Sequence, residues 1–141
     1  MDDVTLRPVR VQDLELLLAW RSNPVIYRHF REQDGPLTWE SHVTWFASRP
    51  DDRRDLLIEF RGRRVGVVSV SSDNDVGIYI GETALWGDGI ASVVLDEVTT
   101  QYDEPLTAEV HSENTASQRL FEHCGFERVE EDEWITYRFR P

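Results

Sequence analysis

The sequence predicts one mixed α/β (α+β) domain over residues 1–141, with a mostly antiparallel sheet of six to seven strands, about four helices, and one parallel pair of strands beside a cleft. Two observations support this fold class. Apolar residues recur first at helical spacing and then at strand spacing. Further along, a helical segment connects two strand segments, and such a crossover makes its two strands parallel neighbours.

The first third of the chain is predicted as one strand followed by helices. The strand covers residues 4–7. Leucines spaced by three and four predict an amphipathic helix that ends at about Arg21, before the Asn23-Pro24 pair. A short helical piece at 26–27 follows, and Thr38 is a plausible N-cap for the next helix.

The rest of the chain is predicted as strands and two further helices. Three β-rich runs separated by turns form an antiparallel meander at 56–60, 65–70 and 76–80. Two helices follow, one extending through Tyr102 and one that ends at Gly125. The remaining strands are at 106–110, 126–129 and 134–139.

The composition limits the partners that this chain can have. Its formal net charge is −12, and every basic residue is arginine because no lysine occurs. Such a charge repels DNA and RNA, so we expect no nucleic-acid partner. An excess of acids without lysine is also typical of halophilic proteins from salt-loaded cytoplasms.

Other classes are excluded by what the sequence lacks. No apolar run approaches the ~18 residues that span a bilayer, so we expect a cytoplasmic protein without a membrane partner. The single cysteine, Cys124, argues against a disulfide framework, and the four histidines lack the spacing of metal ligands. We therefore expect no metal, and a monomer or homodimer.

The stretch from Trp86 to Ala91, which reads WGDGIA, is the strongest functional signal. It follows a strand and opens a helix, so its glycines leave backbone N–H groups bare at the positive end of a helix dipole. This arrangement suits phosphate oxygens. A P-loop would need a lysine here, and a dinucleotide fingerprint would need glycine in place of Ser92, although Glu109 lies roughly 20 residues on, as a ribose-binding acid would.

This stretch resembles the pyrophosphate loop, Q/R-x-x-G-x-G/A, of the GCN5-related N-acetyltransferase (GNAT) superfamily. Residues 113–126 are similar to a second family segment, N-x-x-S-x-x-x-Y/F-x-x-x-G-F, and the predicted order of elements also agrees. Residues 17–24 and 41–46 resemble the branch that acetylates nucleotide-linked amino sugars. Trp86 in place of the leading glutamine or arginine is common in the ribosomal-protein branch.

The resemblance implies an acetyl-CoA-dependent N-acetyltransferase. Its acceptor would be the primary amine of a small molecule or of a nucleotide-linked amino sugar. Two alternatives stay open: a protein N-terminal acetyltransferase of the ribosomal-protein type, and a non-catalytic module that binds coenzyme A.

The resemblance also implies where acetyl-CoA would bind. The backbone around Ile80 would pair with the pantetheine arm, and the glycine turn would hold the pyrophosphate, with Asp88 turned to solvent. Asn114 would contact the arm or a water, and Phe121, where the family often has tyrosine, would pack beside the cofactor. The cofactor-binding candidates are Tyr79, Ile80, Gly81, Trp86, Gly87, Asp88, Gly89, Ile90, Ala91, Ser92, Asn114, Ser117 and Phe121.

Candidate proton-transfer residues lie on the strand at 106–110. Glu109 and His111 share one face by the period of two. Glu109 lies where several family members place a glutamate that takes the amine proton; the alternative is a solvated or arginine-paired carboxylate. Histidine can also act as a base near neutral pH. Candidate acids for the thiolate are Tyr79, Ser117 and Cys124, with solvent as the alternative.

The acceptor-site candidates come from the N-terminal helices. They are Arg21, Arg28, His29 and His42. Arginines suit a nucleotide diphosphate, although they can equally pair with the many surface carboxylates. Trp45 is expected to be a core residue.

Overall fold

The computed structural model describes residues 3–31 and 33–141, and it confirms the mixed α/β class. Its strands are β1 (Val4–Pro8), β2 (Arg54–Phe60), β3 (Arg63–Val70), β4 (Val76–Ile80), β5 (Leu106–His111), β6 (Glu127–Glu131) and β7 (Trp134–Phe139). Its helices are α1 (Leu14–Arg21), α2 (Pro24–Tyr27), α3 (Trp39–Ala47), α4 (Ile90–Thr99) and α5 (Thr115–His123). No helix among these residues is long and apolar enough to cross a bilayer.

The strands form two antiparallel sheets that meet at one point. The first sheet has the order β1-β2-β3-β4, and the second has the order β5-β7-β6. A single parallel bridge joins Asp75 to Thr107. The N–H of Thr107 donates to the carbonyl of Asn74 at 3.0 Å, and its hydroxyl donates to the Asp75 carboxylate at 2.9 Å.

The predicted parallel pair is therefore correct in direction but shorter than expected. Beyond the bridge, the described residues of β4 and β5 form no ladder, and β5 pairs with β7 through its other edge. Toward Ile80 and His111 the two strands are not hydrogen-bonded to each other. We call the space between them the gap; it leaves one edge of β4 without a partner strand.

Two apolar cores lie on opposite faces of the sheets. Helices α4 and α5 cover the larger core, which includes Val94, Leu95 and the inward residues of β5. Helices α1 and α3 cover the smaller core around Leu17 and Trp20. The alternation along β5 is as predicted, with Ala108 and Val110 buried and Glu109 exposed on the other face.

A buried ion pair fixes the start of α1 to the first sheet. Asp13 has no exposed surface, and both its oxygens are hydrogen-bonded. Arg7 binds it through two bonds of 2.8 and 2.9 Å, Arg64 donates at 3.2 Å, and the N–H of Arg10 donates at 2.8 Å. These bonds lower the Asp13 pKa to about 2, chiefly through Arg7 and against the opposing effect of burial.

The differences from the predicted elements are local, and the strands β2, β3 and β6 differ from their predicted bounds by one or two residues. Helix α4 ends at Thr99, three residues before Tyr102. Two short 3₁₀ turns, Val11–Asp13 and Thr83–Leu85, carry no apolar periodicity and were not predicted. Each helps to place a neighbouring element, because the first leads into α1 and the second leads from β4 toward α4.

Candidate functional site

The turn before α4 exposes unpaired backbone N–H groups. Gly89 is the N-cap of α4, and no side chain caps this end. Gly87 and Gly89 have φ angles of 87° and 83°, a left-handed conformation that glycine adopts without steric cost. Within the described chain, the N–H groups of Gly89, Ile90, Ala91 and Ser92 have no hydrogen-bond acceptor. With the helix dipole, this arrangement suits an anion at the surface.

The space in front of this turn is open. A Cβ atom at Gly87 or at Gly89 would meet no atom within 4 Å. Asp88, between the two glycines, is exposed, as predicted. Its backbone N–H donates to the carbonyl of Leu85 at 3.2 Å, which leaves the neighbouring N–H groups to contact a ligand.

Strand β4 presents its unpaired edge to the gap. The N–H of Gly81 donates to the carbonyl of Val65 on β3 at 2.7 Å. Because backbone groups alternate in direction along an antiparallel strand, Tyr79 also pairs with β3, whereas Ile78 and Ile80 point toward the gap. The sequence prediction assigned Tyr79, Ile80 and Gly81 to this edge. In the structure, the backbone groups of Ile80 and Ile78 lie on this edge, whereas those of Tyr79 and Gly81 face β3.

Trp86 connects the glycine turn to this edge. Its indole N–H donates to the Ile80 carbonyl at 2.8 Å, while 45% of the residue remains exposed. The indole N–H is therefore already engaged and is not free to bind a phosphate.

The second motif has a structural role in its first half and a core role in its second. The Asn114 carboxamide oxygen accepts the N–H of Ser117 at 3.2 Å and so caps α5. Phe121 is only 4% exposed, and its ring packs against those of Phe126 and Tyr137. Helix α5 turns this ring into the larger core, and its packing beside the cofactor stays a prediction.

The two candidate bases on β5 are both engaged. Glu109 forms an ion pair with Arg31, which is the arginine-paired alternative left open by the sequence. The Nδ1 atom of His111 accepts the N–H of Glu113 at 3.1 Å, and its Nε2 atom lies 3.9 Å from a carboxylate oxygen of Glu133. A neutral His111 therefore carries its proton on Nε2 and has no free lone pair on the ring.

The segment 28–31, which follows α2, lies across the open end of the gap. The ring centroid of His29 is 5.4 Å from that of His111, and the ring centroid of Phe30 is 5.5 Å from that of Tyr79. Arg28 is exposed at the end of α2. Of the two predicted acceptor residues on this segment, His29 lies at the gap and Arg28 lies at the surface.

The Tyr79 side chain points away from the gap into the smaller core. Its ring packs edge-on against Trp20 at 6.2 Å, and its hydroxyl is buried without a hydrogen-bond partner in the described chain. Burial raises its pKa, although the charge of Arg21 opposes this effect. The phenol therefore stays protonated and has no direct path to a thiolate in the gap.

A positively charged cluster surrounds Trp45, and we call it the arginine cluster. The guanidinium carbons of Arg21, Arg49 and Arg53 lie 5.4, 5.9 and 5.8 Å from the centroid of the indole ring. Asp55 pairs with Arg49 and Arg53, at 3.0 Å each. No carboxylate in the described chain pairs with Arg21. Three positive charges therefore face one negative charge, in a chain with a net charge of −12.

Arg21 and His42, both predicted acceptor residues, come together in this cluster. Burial lowers the pKa of Arg21, and the guanidinium has only a long contact of 3.5 Å to Gln33. His42 is 1% exposed and stacks on Trp45 at 5.6 Å. Burial, and to a lesser extent Arg21, lowers the His42 pKa, so this ring is neutral at pH 7. Trp45 itself is half-buried rather than a core residue.

The sequence did not predict the residues that pair with Glu109 or that join Arg21 in the arginine cluster. Arg31, Arg49 and Arg53 lie in no recognisable motif. Asp55 gave a usable signal, because it precedes Leu57 by two residues and so faces the smaller core from an apolar strand. A carboxylate at an inward position predicts buried cationic partners.

Comparisons with known proteins agree with this geometry. A family model described as the acetyltransferase (GNAT) domain matches residues 3–127. An uncharacterized protein of Methanocaldococcus jannaschii is 41% identical over 147 residues; the match covers 94% of this chain and 30% of that protein. The chain therefore spans about a third of the length of this relative.

Solved structures show the same fold. A domain from Methanocaldococcus jannaschii has a TM-score of 0.87 at 37% identity and covers 98% of both chains. Spermidine N-acetyltransferase from Vibrio cholerae, solved with CoA and spermine, has a TM-score of 0.80 at 17% identity, covering 98% of this chain and 94% of that one. By the family model that matches most of its length, this chain belongs to the GNAT acetyltransferase family.

Proposed function

We propose that this chain transfers the acetyl group of acetyl-CoA to the primary amine of a small molecule that also carries a negative charge, as a nucleotide-linked amino sugar does. The arginine cluster is the observation that supports this class of acceptor.

The donor side fits acetyl-CoA. The free N–H groups at the start of α4 and the open space at the two glycines suit a pyrophosphate. The edge of β4 at Ile78 and Ile80 can pair with an extended amide-containing arm, as an added strand would. An edge N–H there would also donate to the thioester carbonyl and stabilise the oxyanion that forms during transfer.

The acceptor side favours an anionic group. Arg21 is a half-buried cation without a directly paired carboxylate in the described chain, so the more distant charge of Asp55 offsets its desolvation only in part. A phosphate or carboxylate on the acceptor would supply that partner through charge-assisted hydrogen bonds. The same charges would repel a polyamine, so the cluster also selects against polycationic acceptors.

Release of the coenzyme A thiol with a panel of acceptors tests this proposal. The panel contains a uridine-diphosphate-linked amino sugar, spermidine, an aminoglycoside and a basic peptide with a free N-terminus. We expect the nucleotide-linked sugar to have the highest kcat/KM. A peptide preferred over every sugar would instead identify a protein N-terminal acetyltransferase.

A matched pair of variants tests the arginine cluster. Loss of one charged hydrogen bond is worth about 1.5–3 kcal/mol, so Arg21→Gln should raise KM for the anionic acceptor about 10- to 100-fold. Arg63→Gln is the control, because Arg63 is exposed on β3 and lies outside the site. Equal KM values for the two variants would remove Arg21 from acceptor binding.

A further inference from the structure

We propose that His29 accepts the proton of the acceptor amine, in the role that the family resemblance gave to Glu109. This inference rests on the acetyl transfer proposed above.

The placement of the segment 28–31 is the first argument. Three successive side chains contact the two strands that border the gap: His29 reaches His111 on β5, Phe30 reaches Tyr79 on β4, and Arg31 pairs with Glu109 on β5. His29 is therefore held where β4 and β5 are farthest from their bridge. An amine that attacks a thioester lying along the β4 edge must occupy this end of the gap.

The other candidate proton-transfer residues are engaged elsewhere, which is the second argument for His29. The Glu109 carboxylate is paired with Arg31, and the Nδ1 lone pair of His111 accepts the Glu113 N–H. Cys124 lies under the start of α4, where its thiol donates to the Ser92 carbonyl at 3.7 Å and burial raises its pKa to about 12. The Tyr79 hydroxyl is buried in the smaller core.

The state of His29 is the third argument. Its pKa is lowered, first by burial and then by the charge of Arg28 and the neighbouring His111, whereas Glu113 acts in the opposite direction. These are the charged and titratable groups that face it from its own segment, from β5 and from the turn after β5. The ring is therefore neutral at pH 7. It makes no hydrogen bond to the described residues, which leaves a lone pair to accept a proton.

An imidazole nitrogen of His29 takes one proton from the ammonium group of the acceptor, which becomes a neutral amine. The amine nitrogen forms a bond to the thioester carbonyl carbon, and the carbon–sulfur bond breaks. A second proton leaves the nitrogen and protonates the thiolate, so the products are an amide, coenzyme A thiol and a protonated His29 that releases its proton to solvent.

The pH dependence of kcat/KM in His29→Gln tests the role. General-base catalysis contributes about 10²–10⁴-fold, so we expect at least about a 100-fold loss at pH 7. The loss should shrink as the pH rises above the pKa of the acceptor amine, because the amine is then already neutral. A merely structural role would lower the rate equally at all pH values, and that result would overturn the proposal.

Two control variants separate the outcomes. His123→Gln, an exposed histidine on α5, should keep the wild-type profile. Glu109→Gln should lose less than His29→Gln at pH 7, and the reverse order would return the base to Glu109. Binding of coenzyme A, measured by calorimetry, should be the same in His29→Gln and wild type.

The same assay separates this inference from the proposed function. Turnover by His29→Gln at the wild-type level would overturn the role of His29 and leave the acetyl transfer intact. No thiol release by the wild-type protein with any acceptor would overturn both.

Discussion

The substitution Asp13→Asn should destabilise the protein by an amount that the geometry fixes. Asp13 is fully buried, and its carboxylate accepts two bonds from Arg7, one from Arg64 and one from a backbone N–H. Its pKa of about 2 lies below the ordinary value of 3.8. At about 1.4 kcal/mol for each pKa unit, this difference corresponds to about 2 kcal/mol of stability at pH 7.

The sign of the pH dependence follows from the lowered pKa. The contribution is complete above about pH 4–5, where an unfolded aspartate is also ionised, and it is lost as the pH falls through about 2. About half of it should remain at pH 3. In thermal unfolding at pH 7, the loss of about 2 kcal/mol should lower Tm by about 5–8 °C for a domain of this size.

Urea denaturation at pH 7, 5, 4 and 3 measures this directly. Asp103→Asn is the matched control, because Asp103 is exposed and makes no hydrogen bond or ion pair in the described chain. The reasoning is refuted if Asp13→Asn unfolds at the same urea concentration as wild type at pH 7. It is also refuted if the difference between them does not shrink between pH 5 and pH 3.

Three further predictions concern the site and the surface. Trp86→Phe removes the indole N–H that donates to the Ile80 carbonyl, so this carbonyl is free to accept a pantetheine amide N–H. Coenzyme A should therefore bind about 2- to 10-fold more tightly by calorimetry. Weaker binding would show that the indole contacts the ligand instead. Gly81→Ala places a Cβ atom 2.2 Å from the Trp20 ring and should cost about 1–3 kcal/mol in urea denaturation, whereas Gly35→Ala, which meets no atom within 4 Å, is its control. Salt screens the self-repulsion of a chain with net charge −12, so Tm should rise from low to molar salt, and equal Tm values would contradict the halophilic interpretation.

Local signals in the sequence were sufficient for most of the fold. Strands β4 and β7 have the predicted bounds, and Thr38 caps α3 through a bond from the Ser41 N–H at 3.2 Å. The gap could not be predicted, because periodicity gives the direction of β4 and β5 but not how far two parallel neighbours stay paired. That depends on how the two sheets pack on either side of the bridge, which is a tertiary property.

For the candidate site as well, local sequence predicted some features, whereas others depend on tertiary structure. The glycine turn and its exposed N–H groups follow from local chemistry, since a strand, two glycines and a helix start lie within a few residues. The pairing of Glu109 with Arg31 could not be predicted, because 78 residues separate the two along the chain. Likewise, the direction of each backbone group on β4 depends on its register with β3, which the sequence of β4 alone does not contain.

The single bridge between Asp75 and Thr107 has a mechanical consequence. It is the vertex of a wedge whose arms, β4 and β5, run for five and four residues beyond it, which is about 17 and about 13 Å at about 3.3 Å per residue. With arms of those lengths, a rotation of about 5° at the vertex moves Ile80 relative to His111 by about 1.4 Å. Displacements near 1 Å can cost about 100-fold in rate, so substitutions at Thr107, remote from the reacting atoms, should tune catalysis through the angle of this wedge.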